Sequence, residues 1–212
     1  MDTFRDRARA CLLGGALGDA LGYPIELSHG PFDASPPSFL GIVSDDTQMT
    51  LFTAEGLAEA RAGTPALPAI HDAYHRWLRT QLGVRGDDLP GLLGMPSLWV
   101  RRAPGNTCLS ALMQNAQFDR TPTVDAPPND SKGCGAVMRS APFGLAETSR
   151  ASAFLLARDA GVLTHGHPSG YLSAALFASI VWDVARGASL DAALSSGLSL
   201  LALTAEDVRG AR

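Results

Sequence analysis

Apolar positions recur at helical rather than alternating spacing along almost the whole chain, and Ala and Leu dominate them. Phe4, Ala8, Cys11, Leu12 and Leu13, then Ala16, Leu17, Ala20 and Leu21, predict a helix over 3–21. Gly14, Gly15 and Gly18 lower its intrinsic propensity, which suggests compensation through close helix–helix approach. A second helix is predicted over 46–61, and a third over 67–82 with Ile70, Tyr74, Trp77 and Leu78 on one face. Further helices are expected at 106–117, 135–145, 149–160, 168–186 and 190–203. Pro36-Pro37, Pro90-Gly91, Pro104-Gly105 and Pro127-Pro128 punctuate the gaps. Alternating β-branched and aromatic runs are missing, so the pattern predicts an all-α protein with long functional loops.

Composition sharpens this picture without redirecting it. A chain of 212 residues that is 46% hydrophobic and 18% charged suits one globular domain with a sizeable core, spanning 1–212. No apolar run approaches a membrane span of ~20 residues, and the best candidate, 172–184, is amphipathic and abuts Asp183 and Arg186. The first residues mix acid and base without a signal-peptide pattern. Cys11, Cys108 and Cys134 are odd in number and far apart, the usage of free thiols in a cytoplasmic protein. A net charge of −4 with one basic pair, Arg101-Arg102, argues against a nucleic-acid partner.

The sharpest local chemistry is Ser44-Asp45-Asp46-Thr47, which opens a helix. One reading is a good N-terminus, with Asp45 and Gln48 forming a capping box. The other is a hard-cation site, because a hydroxyl and two carboxylates are donors that Mg²⁺ prefers. Two carboxylates cannot neutralise two divalent ions, so further acids are required. Upstream, Gly18-Asp19-Ala20-Leu21-Gly22-Tyr23-Pro24-Ile25-Glu26 ends a helix in a turn and leaves Glu26 just beyond it, as a solvated acid or as a carboxylate over a metal. Ser131 to Gly135 offers small residues ahead of a helix expected near Ala136, a tight turn or a backbone cradle for a diphosphate. Arg139 suits a phosphate or an internal salt bridge, and His165 suits a ribose or phosphate contact or a capping role. His167 reads as structural. His71 and His75, one turn apart, could bind zinc in principle, but no Glu stands beside His71 as in metalloproteases, and they read as a solvated helix face.

In order, the Gly-Asp-Ala-Leu-Gly block, Glu26, Ser44-Asp45-Asp46-Thr47-Gln48-Met49, Ala103-Pro104-Gly105-Asn106-Thr107, Asn129 to Gly135 running into Met138-Arg139, and Thr164-His165-Gly166-His167-Pro168 resemble the ADP-ribosylglycohydrolase family. The resemblance implies an orthogonal multi-helix bundle around a dinuclear Mg²⁺ centre, with Mn²⁺ as a possible substitute. It implies that Ser44, Asp45 and Asp46 are metal ligands and Glu26 the catalytic glutamate. Asn106, Ser131, Gly133, Cys134, Gly135 and His165 would then contact ADP-ribose, with Cys134 standing where many relatives carry Asn. The implied activity is hydrolysis of the N- or O-glycosidic bond between ADP-ribose and a protein side chain or other acceptor. The alternatives are an ADP-ribose-binding pseudoenzyme and a phosphohydrolase that releases AMP. The chain departs from the family in two places. The C-terminal Asp-x-Asp-Thr block is not found, the acids after Pro168 being Asp183, Asp191, Glu206 and Asp207, so the bundle is expected to lack its C-terminal helices. Ala103 stands where some arginine-specific relatives carry an acid, which leaves the acceptor linkage open.

Overall fold

Ser44 starts the helix that the motif promised. It is the N-cap, in extended backbone, and its Oγ accepts a 3.1 Å hydrogen bond from the Asp46 N–H. Asp45 and Asp46 occupy the first turn and Arg61 the last, the arrangement the helix dipole favours. Gln48 is not part of a capping box. It is buried, its Oε1 accepts from Trp77 Nε1 and Gln81 Nε2 at 3.3 and 2.9 Å, and its Nε2 donates to Val100 O at 3.0 Å.

The structure, a computed structural model, describes residues 3–26 and 41–210, with side chains as far as residue 204. Pro36-Pro37 and the side chains of Glu206 and Asp207 lie outside the described residues. The elements are α1 (Phe4–Glu26), α2 (Asp45–Arg61), α3 (Ala66–Leu82), α4 (Asn106–Gln117), α5 (Ala141–Ala146), α6 (Arg150–Val162), α7 (Pro168–Ala185) and α8 (Leu190–Gly210). Three short 3-10 turns sit at 91–94, 96–99 and 134–136, and the described residues contain no strand. The protein is therefore all-α, as the periodicity predicts. None of its described helices is long and apolar enough to cross a membrane.

The core explains the helix faces. Met49 and Phe52 of α2, Ile70, Tyr74 and Trp77 of α3, Leu112 of α4 and Phe143 of α5 share one cluster. The α2–α3 and α6–α7 pairs pack most extensively, α8 lies on α7, and α1 rests against α2, α5 and α7. His167 caps α7, its Nδ1 accepting from the Ser169 N–H at 3.0 Å, so its role is structural, as expected.

Several expectations are corrected. α1 continues past residue 21 to Glu26 and carries Pro24 in its last turn, so Glu26 ends a helix rather than following a turn. Its glycines do not mediate close helix approach: among the described residues, nothing lies within 4 Å of where a Cβ would stand at Gly14, Gly15 or Gly18. The single helix expected over 135–145 is a 3-10 turn, a further hydrogen-bonded turn at 137–139 and the short α5. Pro142 has no N–H to give the Met138 carbonyl, which accepts from Thr50 Oγ1 at 3.3 Å instead. His71 is 8% exposed and His75 half-buried, so they do not form a solvated face.

Candidate active site

Asp19 organises the metal candidate, a role its motif position did not reveal. Both its oxygens accept from the Ser44 N–H, at 3.0 and 2.9 Å, and Oδ2 also accepts from the Thr47 N–H and hydroxyl, at 3.2 and 2.5 Å. A side chain of α1 thus satisfies orphan donors at the start of α2 and pins the two helices together. Asp46 and Glu26 face a cavity of ≈ 550 Å³, one wall of which is α1, with Gly15, Gly18 and Gly22 along it. The small residues of α1 therefore open space over the acids.

Asp45 turns the other way. Its N–H donates to Arg102 O at 2.8 Å, and its Oδ2 accepts from the Gly105 N–H at 3.0 Å. These bonds fasten the 102–105 loop to the mouth of α2 and place Asn106 at the first residue of α4. Within that loop Ala103 holds φ 49, a left-handed conformation that costs a non-glycine residue about 1 kcal/mol.

Burial raises the Asp45 carboxyl to about 6, helped by Asp46 and Glu26 and opposed by the Gly105 bond. It raises Asp46 to about 6 as well, helped by Asp19 and Glu26. Acids that hold each other's protons on are short of positive charge, and a hard divalent cation supplies it. Ser44, Asp45, Asp46 and Glu26 fit one flank of such a site by donor chemistry. The described residues contain no group of three or more His, Cys, Asp or Glu side chains disposed to hold an ion, so they do not encircle one. Ser44 is wholly buried, with its hydroxyl engaged in the cap, and Asp183 is committed to Arg150 at 2.8 Å.

The residues expected to contact ADP-ribose lie in loops joined to this flank through the Asp45–Gly105 bond. Asn106 and Ser131 line a neighbouring cavity of ≈ 530 Å³, and Thr107 Oγ1 meets Ser131 Oγ at 3.3 Å. Asn129, which sequence reasoning gave no role, ties the two loops together. Its Oδ1 accepts from the Ser131 and Gly166 N–H groups at 3.0 and 3.1 Å, and its Nδ2 donates to Thr164 O at 2.8 Å. Gly133 and Gly135 lie directly over the His165 ring; a Cβ at Gly135 would stand 2.7 Å from His165 Cε1 and 2.8 Å from Cys108 Sγ. Cys134 is exposed between them. No α-helix begins at Ala136, so the cradle consists of loop backbone without the helix dipole expected behind it.

Arg139 neither faces the cleft nor joins a salt bridge. It is 1% exposed and donates to Thr164 Oγ1 at 2.7 Å and Ala160 O at 3.2 Å. Its guanidinium lies 4.3 Å from the Tyr74 ring centroid and touches the Met49 and Cys108 sulfurs at 3.6 Å. Thr164 Oγ1 in turn meets His165 Nδ1 at 2.8 Å. Burial first, and the Arg139 cation second, push His165 down to about 3.

The fold is all-α, with paired acids opening α2 and a buried histidine beneath the Gly133 and Gly135 loop. Residues 1–211 match the family model described as ADP-ribosylglycohydrolase. The chain belongs to the ADP-ribosylglycohydrolase family.

Proposed function

We propose that this chain hydrolyses the glycosidic bond between ADP-ribose and a modified acceptor, with a divalent-cation requirement met by Mg²⁺ or Mn²⁺. The observation that carries this reading is the join between two half-sites. The Asp45–Gly105 bond and the Thr107–Ser131 contact tie the Asp46/Glu26 cavity to the Gly133–Gly135–His165 surface. A ligand with an anionic diphosphate and a reactive ribose needs such a two-part site.

Asn106, Ser131, Gly133, Cys134, Gly135 and His165 hold the ADP-ribose, and Ser44, Asp45 and Asp46 offer oxygen donors. Divalent ions bound there would supply Lewis acidity toward ribose hydroxyls and water. Glu26, at the exposed end of α1, orients a water or accepts its proton as the oxygen bonds to the anomeric carbon. The acceptor leaves with a proton. His165 stays neutral and binds through hydrogen bonds. Ala103 places no acid on the loop leading to Asn106, so arginine is not favoured over serine as the linkage.

The test is release of ADP-ribose from arginine- and serine-linked ADP-ribosyl peptides by the 212-residue chain, with and without Mg²⁺, read by mass. Mg²⁺-dependent release of intact ADP-ribose is expected. Glu26→Gln should lower turnover about 10²- to 10⁴-fold while ADP-ribose still binds. Asp45→Ala with Asp46→Ala should remove the Mg²⁺-dependent turnover. Binding without release would make the chain an ADP-ribose reader, and AMP as product would make it a phosphohydrolase; either refutes the proposal.

A further inference from the structure

A second group of chemistry-bearing side chains lies apart from the cleft, where α3 passes the end of α4. His71 and His75 stand one turn apart on α3, with ring centroids at 4.5 Å and planes at 67°. Their Nε2 atoms converge to 3.1 Å. Both line a cavity of ≈ 310 Å³ with Asp72, Asn115, Asp119 and Arg120. Asn115 in the same wall is 1% exposed; its Nδ2 donates to Leu163 O at 2.9 Å, and its Oδ1 is buried without a partner.

We propose that this cavity binds one borderline transition-metal ion of the Zn²⁺, Ni²⁺ or Cu²⁺ class, chelated by His71 Nε2 and His75 Nε2. Nitrogen donors about 2.0–2.1 Å from one ion, at tetrahedral or right angles, stand roughly 2.9–3.4 Å apart, and the observed separation falls inside that range. A hydrogen bond between the same atoms satisfies the pair only when the two rings are opposite tautomers, whereas an ion takes both lone pairs. Burial keeps both rings neutral, as ligation requires. Asp72 and Asp119 offset part of the ion's charge, against Arg120. No third His, Cys, Asp or Glu among the described residues completes the set, so water and the orphan Asn115 Oδ1 are the oxygen donors available for the remaining positions. Imidazole donors select against Mg²⁺, which separates this site chemically from the carboxylate flank at α2.

The experiment is calorimetric titration of the full chain with Ni²⁺ in excess Mg²⁺, paired with electron paramagnetic resonance of the Cu²⁺ form. One equivalent of Ni²⁺ is expected, with Cu²⁺ hyperfine structure from two nitrogens. His75→Gln, at the half-buried position, should weaken Ni²⁺ binding about tenfold or more and remove one nitrogen coupling. The variant carrying Asp45→Ala and Asp46→Ala should bind Ni²⁺ as the wild type does. Absence of Ni²⁺ binding overturns the proposal. So does a His75→Gln variant with unchanged affinity, or loss of the ion in the aspartate variant. None of these outcomes bears on hydrolysis in the cleft.

Discussion

At the scale of single residues, His165 is tuned by what lies behind it. Arg139 can only donate, so it occupies one lone pair of Thr164 Oγ1, and the same oxygen meets His165 Nδ1 at 2.8 Å. The other ring nitrogen, Nε2, lies beneath Gly133 and Gly135. The folded ring resists protonation down to about 3, whereas the unfolded ring takes a proton near its ordinary value of 6.5. A lowered histidine pKa contributes stability that is full above 6.5 and is lost as pH falls from there toward 3. At pH 5 the loss has a ceiling of about 2 kcal/mol. Urea midpoints at pH 7 and pH 5 should therefore move together less in His165→Gln than the wild-type midpoints do, in the sense of a smaller acid-induced drop. Equal drops would show that the ring is not held neutral. The Thr-His-Gly-His-Pro motif made His165 readable as a candidate, but Arg139 was misread. Sequence displays a charge and not its burial, and only the packed core shows that this cation is held by sulfurs, a carbonyl and an aromatic face.

At the scale of elements, glycine has opposite meanings in neighbouring helices. Gly56 lies where α2 crosses α3, and a Cβ there would stand 2.7 Å from Ile70 Cα and 3.0 Å from Ala69 O. Helix propensity alone makes Gly→Ala favourable by about 1 kcal/mol. The obstacle here is backbone, which cannot rotate aside, and overpacking costs about 1–3 kcal/mol. Gly56→Ala should therefore destabilise by a net ~1 kcal/mol in urea denaturation, while Gly14→Ala on α1 should be neutral or stabilising. A stabilised Gly56→Ala would mean that the two helices separate easily. The periodicity found every described helix of more than two turns, because an amphipathic stripe is a local pattern. It failed at 135–145 because Pro142 and the inward turn of Arg139 break a sequence that otherwise reads as continuous. It misjudged the α1 glycines because spacing cannot tell a helix contact from a cavity wall.

At the scale of the molecule, the site is an assembly of loops far apart in sequence. The motif order announced the pieces, and the family match covers them. The joints were not legible: Asp19 to Ser44 and Thr47, Asp45 to Gly105 and Asn129 to Thr164 are tertiary hydrogen bonds that no local pattern encodes. The joints also set an energetic conflict. Asp45 and Asp46 titrate near 6 in the folded chain, above their ordinary 3.8, so the folded state holds more protons than the unfolded one between those values. A raised carboxyl pKa means that stability from these groups is present below about 4 and is lost as pH rises through 6, the reverse of the histidine term. At neutral pH the ion-free protein therefore carries an acid cluster that works against folding. Asp46→Asn removes one of those charges and leaves its N–H free to cap on Ser44. In chelator-treated protein at pH 7 this variant should melt higher than wild type, by on the order of 1 kcal/mol after solvent screening. Excess Mg²⁺ should raise the wild-type melting temperature and leave Asp46→Asn nearly unmoved. If the variant instead melts lower without Mg²⁺, the acids are held by partners in the fold and are not poised for a cation.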